Sequence, residues 1–179
     1  MKQIYLTAVV LCLIALVGCS PAPKSMEAKA EIEIEGDTAL AKAKRNDPSL
    51  IRFLDEAAGY AVFPSVGKGA IWVGGAYGKG VLYENGQAVG YCDLTQATIG
   101  LQLGGQAYTE IIAFQTKQDV DYFKTGNFAF DAQATAVALK ADAAANVDYN
   151  HGVAVFTMDA AGLMFEASVG GQKFGYQAK

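Results

Sequence analysis

The sequence is short of cysteine, histidine and positive charge, and each shortage removes a class of function. Of three cysteines, Cys12 and Cys19 fall in or beside an amino-terminal apolar run, so Cys92 stands alone in the remainder. An intramolecular disulfide is excluded there, and Gly90-Tyr91-Cys92 reads as the setting of a buried structural thiol. One cysteine and one histidine, His151, cannot build the usual Cys/His zinc sites. Without residues 1–18 the chain has eighteen Asp and Glu against thirteen Lys and Arg, a formal charge of −5. Nucleic acid needs a basic face, and so does attachment to anionic lipid by charge alone; neither is expected. No Gly-x-Ser-x-Gly elbow occurs, and the pairs Asp119/Asp121 and Asp55/Glu56 match no calcium or glycosidase spacing. His151 lies in the turn sequence Tyr149-Asn150-His151-Gly152. The residues thus build no catalytic constellation, and the chain reads as a non-enzyme without a metal or cofactor.

The one long apolar run, Ile4 to Val17, is too short for a comfortable membrane span of roughly 20 residues. Lys2 precedes it, and Leu16-Val17-Gly18-Cys19 closes it with small residues before a cysteine. That arrangement resembles a bacterial lipoprotein signal. The expectation is cleavage before Cys19, acylation of Cys19, and a lipid anchor. Ser20 rather than Asp after the cysteine favours the outer membrane, with the domain facing the periplasm. Residues 1–18 are then signal, 19–36 a lipidated tether of about 20–25 Å as flexible coil, and 37–179 a single domain. The alternation Glu31-Ile32-Glu33-Ile34-Glu35 fits a strand or a helical turn equally well.

Within the domain, Asp37-Thr38 caps a helix over about 38–46, and Asp47-Pro48 starts a second. Leu50, Ile51, Phe53, Leu54, Ala57 and Ala58 give that second helix one apolar stripe, which ends at Gly59. From Tyr60 the pattern changes. Tyr60 to Phe63 predicts a short strand stopped by Pro64. Glu84-Asn85-Gly86-Gln87 predicts a hairpin turn between Val81–Tyr83 and Ala88–Tyr91. Ile99, Leu101 and Leu103 alternate as a half-buried strand, and Ile111 to Phe114 reads as a central one. Thr116 with Asp119 approximates a capping box for a short helix ending at Gly126. Residues 127–140 read as a long strand. Gly152 to Met158 and Leu163 to Val169 read as a last pair turned by Asp159 to Gly162. The alanine-rich 127–146 offers no lipid-facing band, so a transmembrane barrel is not expected. The fold expected is one α+β domain with a strongly twisted, mainly antiparallel sheet, open or barrel-like, and a few short helices.

The glycine-rich segments carry no phosphate-loop spacing; Gly80 stands where a magnesium-holding Ser or Thr belongs. Four of them do carry a likeness. Phe63-Pro-Ser-Val-Gly-Lys-Gly69, Val73-Gly-Gly-Ala-Tyr-Gly-Lys-Gly80, Leu94-Thr-Gln-Ala-Thr-Ile-Gly-Leu-Gln-Leu-Gly-Gly-Gln106 and Gly170-Gly-Gln-Lys-Phe174 resemble, in order, the SYLF domain. Asp47-Pro48, Phe53-Leu54-Asp55, Gly126-Asn127-Phe128 and Ala132-Gln133-Ala134 fit the same pattern over about residues 38–176. The resemblance implies lipid binding, and in some fungal members actin binding. Actin is not expected as a partner of an exported bacterial protein, which leaves membrane phospholipid or another amphiphile.

The residues suggest how such binding works. Lys68 and Lys79 would meet phosphate from glycine-flanked turns, with Trp72 and Tyr77 at the apolar boundary. The competing expectation is a scaffolding lipoprotein that docks a protein partner in the envelope.

Overall fold

The computed structural model describes residues 20–70, 73–99, 104–130, 136–159 and 171–179. Its architecture is α+β, as the sequence predicts. Two helices come first, α1 (Met26–Asn46) and α2 (Ser49–Glu56). Four long strands follow: β1 (Gly59–Ala70), β2 (Val73–Glu84), β3 (Gln87–Ile99) and β4 (Gly104–Phe114). A short α3 (Lys117–Lys124), β5 (Ala129–Phe130), β6 (Ala136–Ala138), β7 (Val153–Asp159) and β8 (Gln172–Ala178) complete the order. All eight strands form one sheet in the order β5-β8-β3-β2-β1-β4-β7-β6. Every pairing is antiparallel except β6 with β7. The hydrogen-bonded sheet does not close into a barrel.

It does curl. Only six Cα steps link Phe130 on one edge strand to Ala136 on the other, so the two edges come within roughly 20 Å. Side chains also meet across the concave face: Phe63 on β1 and Phe174 on β8 have ring centroids 5.8 Å apart. Phe114, Phe123, Phe128 and Val155 join them in a core lined by this face and closed by α3. Each such fully buried aromatic contributes about 2–3 kcal/mol through burial.

The other face carries a second core. Val62, Val81, Tyr83, Ile111 and Phe156 pack there against Ile32, Leu40, Ala43, Leu50 and Leu54 of α1 and α2. The buried positions of α1 are Ile32, Gly36, Ala39, Leu40 and Ala43, three and four residues apart. Gly36 permits the approach, because a Cβ there would stand 2.9 Å from the Tyr83 hydroxyl.

Local signals hold where they were local. The 85–86 turn has φ of 51° at Asn85 and 73° at Gly86, and Glu84 faces Gln87 across it. Thr116 and Asp119 form a reciprocal capping box, and Gly126 has φ of 71°. The start of α2 falls one residue later than expected, with Pro48 at the cap position, and the Asp47 carboxylate before it accepts from Ser49 N at 3.0 Å.

Four readings need correction. Residues 26–36 are not tether; they are the first half of α1, capped by Ser25, whose Oγ accepts from Ala28 N. Pro64 does not stop its strand, because it sits at a bulge where the register to both β2 and β4 shifts. The strand expected over 127–140 provides both edges of the sheet, as β5 and β6. Finally, β7 pairs with β4 and β6, and the last described strand, β8, pairs with β3 and β5. Residues 100–103, 131–135 and 160–170 lie outside the described residues, and so do Cys19 and Trp72.

A candidate lipid-facing end of the sheet

Strand direction divides the sheet into two unlike ends. β1, β3, β5, β6 and β7 run one way, and β2, β4 and β8 the other. The connections β1–β2, β3–β4 and β7–β8, each between strands of opposite direction, therefore all belong to one end. Residues 71–72, 100–103 and 160–171 make them, and they contain one charged residue, Glu166. Ile71, Trp72, Leu101, Leu103, Leu163, Met164, Phe165 and Val169 are among them.

The opposite end is ionic. Lys124 Nζ lies 3.0 Å from both carboxylate oxygens of Glu84, Lys117 Nζ lies 3.7 Å from Glu84, and Lys117 also pairs with Asp121. A groove of about 370 Å³ lies on that side, between α2 and residues 144–149, with Arg52, Phe53, Glu56 and Tyr149 in its walls.

The sequence-predicted site residues separate onto two faces. Lys68 stands opposite Ala76 and two residues from Val66, on the concave face, and is half-buried. Tyr77 and Lys79 share the helix-bearing face with Val81. Tyr77 is 42% exposed. Lys79 lies in register with Asp93, six residues from the start of β2. The structure therefore does not bring Lys68 and Lys79 into one pair. A second base stands near this end, on the helix-bearing face: Lys173, exposed at the second position of β8 and, like Tyr77, in register with Thr95. Asp159, at the end of β7, is the acid at the same level. Sequence reasoning quoted Lys173 within the Gly170–Phe174 segment but gave it no role; the pairing of β8 with β3 puts it near this end.

Below this end lies a buried polar layer that sequence reasoning also missed. Gln96, Glu110 and Gln172 are 2%, 1% and 1% exposed. Gln172 Nε2 donates to Glu110 Oε2 at 3.0 Å, and Gln172 stands opposite Gln96 in the register of β3 and β8. Burial pushes the Glu110 carboxyl up to about 7, and hydrogen bonds from Gln172 and Tyr108 offset only part of that. A signal was available: counting by twos from the buried Ile112 and Phe114 puts Glu110 on the inward face.

A third set of contacts fixes α1 to the sheet. Tyr91 OH donates to Glu33 at 2.6 Å, Lys179 Nζ reaches the other Glu33 oxygen at 2.9 Å, and Tyr83 OH donates to Asp37 at 2.9 Å. Burial raises the Glu33 carboxyl, but the bonds from Tyr91 and Lys179 outweigh it and hold it below its ordinary value.

The chain is similar to beta cell expansion factor A of Aeromonas veronii. The two are 31% identical over 150 residues, which make up 83% of this chain and 57% of that protein. The chain thus spans little more than half the length of the curated relative it matches. No protein-family profile matches it.

Proposed function

We propose that this protein is a lipid-anchored component of the bacterial envelope, facing the periplasm, whose SYLF-like domain binds phospholipid or a related amphiphile. The observation that carries the reading is that three connections, with one charge among them, leave from one end of the sheet, while the ion pairs collect at the other. An end of that composition favours the boundary between headgroups and acyl chains. Lys68 and Lys173, one or two residues below it, stand at the level of phosphate. Trp72 is assigned to the interface, where an indole is amphipathic, and the exposed Tyr77 of β2 to the same boundary. Lys79, further down and opposite Asp93, has the smaller part.

Acylation of Cys19 supplies what the acidic chain lacks. A tethered domain meets the bilayer at high effective concentration, so a weak site is sufficient. Native mass spectrometry of the full chain, extracted gently from membranes, tests the reading. Phospholipid-sized adducts that survive detergent exchange support it, and a bare protein mass in every preparation counts against it.

A second reading, a scaffold for an envelope protein, draws on Met26 and Ile34, which are 80% and 66% exposed on α1. A reproducible crosslinked partner at those two positions, with indifference to lipid, would favour it.

A further inference from the structure

With Glu110 ionised, the layer has unmet acceptors and, among the described residues, no unmet donor. Glu110 Oε1 and Gln172 Oε1 are buried and receive no hydrogen bond among the described residues. The Gln96 amide lies beside them, in register with Gln172. Beneath the layer are Leu94, Phe174, Phe63 and Ile112, all buried; on its other side lie the strand ends Ala70, Val73, Ile99 and Gly104. Leaving a buried acceptor unmet is costly, more so for a carboxylate. A guest suited to this layer brings several donors, no acceptor and a positive charge.

We propose that Glu110 and Gln172, with Gln96 beside them, form a binding site for a primary ammonium group, such as the one that ends an aminophospholipid headgroup. The chemistry of the guest follows from the layer itself; only its lipid source rests on the function proposed above. An ammonium offers three N–H donors and accepts nothing. An alcohol offers one donor and adds an acceptor. A quaternary ammonium has no donor at all. Calcium asks for six to eight oxygens, more than this layer supplies.

The surroundings leave the carboxylate as the centre of negative charge. On its own face β4 adds Tyr108, which donates to it. β3 adds the buried Cys92 and β1 adds Lys68, two residues beyond Val66. β2 presents Ala76, Gly78, Gly80 and Leu82, and β8 adds Gln172, Phe174 and Tyr176. β7 places Thr157 opposite Glu110, with Asp159 in register with Tyr108, and α3 contributes Val120 and Phe123.

The test is thermal unfolding of the full chain in mild detergent at pH 7.5. Butylammonium chloride is compared with tetramethylammonium chloride at equal concentration. Butylammonium should raise the midpoint by about 2–4 °C over the quaternary salt, and Glu110→Gln should abolish that difference. Equal midpoints in the wild type overturn the site, as does an undiminished difference in the variant. Should Glu110→Gln fail to fold, carbon NMR of the wild-type Glu110 carboxyl decides. Butylammonium must move its titration to lower pH, and an unmoved titration overturns the site.

Micelles doped with phosphatidylethanolamine or phosphatidylcholine then identify the source. A preference for the ethanolamine lipid that Glu110→Gln removes supports a headgroup. A butylammonium response with indifference to both lipids supports the ammonium site, assigns it to a free amine, and tells against the lipid reading. Lipid binding without any butylammonium response does the reverse.

Discussion

Gln172 on β8 donates to Glu110 on β4 across 3.0 Å, although β3, β2 and β1 lie between those two strands in the sheet. A flat sheet would keep them about 19 Å apart, four inter-strand spacings. The bond is therefore a direct sign of how tightly the sheet coils, and it places an ionisable group inside the coil. Three of the strand connections, with one charge among them, leave from the sheet end nearest this polar layer.

Glu110 should make stability depend on pH. Its folded pKa, about 7, lies above the ordinary 4.5. Its contribution is therefore fully present below about pH 4.5 and lost as the pH rises through 7. The loss by pH 8 is on the order of 3 kcal/mol, from about 1.4 kcal/mol per pH unit. Urea unfolding at pH 5 and pH 8 should show this decline in the wild type and a flatter profile in Glu110→Gln.

Asp47 should act in the opposite sense. It is fully buried, and its carboxylate accepts from Ser49 N, from Ser49 Oγ at 2.5 Å and from Ala144 N at 2.7 Å. Burial raises its pKa, but those bonds outweigh burial and hold it below the ordinary 3.8. Its stabilisation is present above pH 3.8 and lost as the pH falls through the depressed value. Asp47→Asn should cost about 1–3 kcal/mol at neutral pH in chemical denaturation and lessen acid sensitivity below pH 4.

Where β2 runs close against the β1 backbone, glycine is required. A Cβ at Gly80 would lie 2.5 Å from the Val62 backbone oxygen, whereas one at Gly67 would have its nearest neighbour at 3.9 Å. Gly80→Ala should cost about 1–3 kcal/mol through overpacking against backbone. Gly67→Ala, measured alongside by thermal unfolding, should stay within about 0.5 kcal/mol.

α1 should behave as part of the domain. Tyr91→Phe and Tyr83→Phe each remove one hydrogen bond to the helix, worth about 1 kcal/mol. Hydrogen exchange in residues 28–40 should speed up in both variants. Exchange already complete within seconds in the wild type would return this stretch to a tether.

What was legible in the sequence was local. Asn85-Gly86, Thr116 with Asp119 and the run Ile111 to Phe114 each carry their own structural instruction within a few residues. Residues 26–36 were harder, because Glu31 to Glu35 alternates at period two while the buried Ile32, Gly36, Ala39, Leu40 and Ala43 follow the helical period. The split of 127–140 between two edges depends on partners more than 15 residues away along the chain. For the site, Lys68 and Tyr77 were found near the uncharged end, but their opposite faces follow from register. The place of Lys173 follows from the pairing of β8 with β3, and the meeting of Glu110 with Gln172 exists only once the sheet coils.

Trp72 offers the most direct test of the lipid reading. It is the only tryptophan and belongs to the connection between β1 and β2. The full chain would be reconstituted with phospholipid vesicles containing lipids brominated near the headgroup or deeper in the chain. Contact of the uncharged end with the bilayer predicts a blue-shifted Trp72 emission, quenched more by the shallow bromines. Emission that neither shifts nor is quenched, with the protein held at the same vesicles by Cys19, would contradict it.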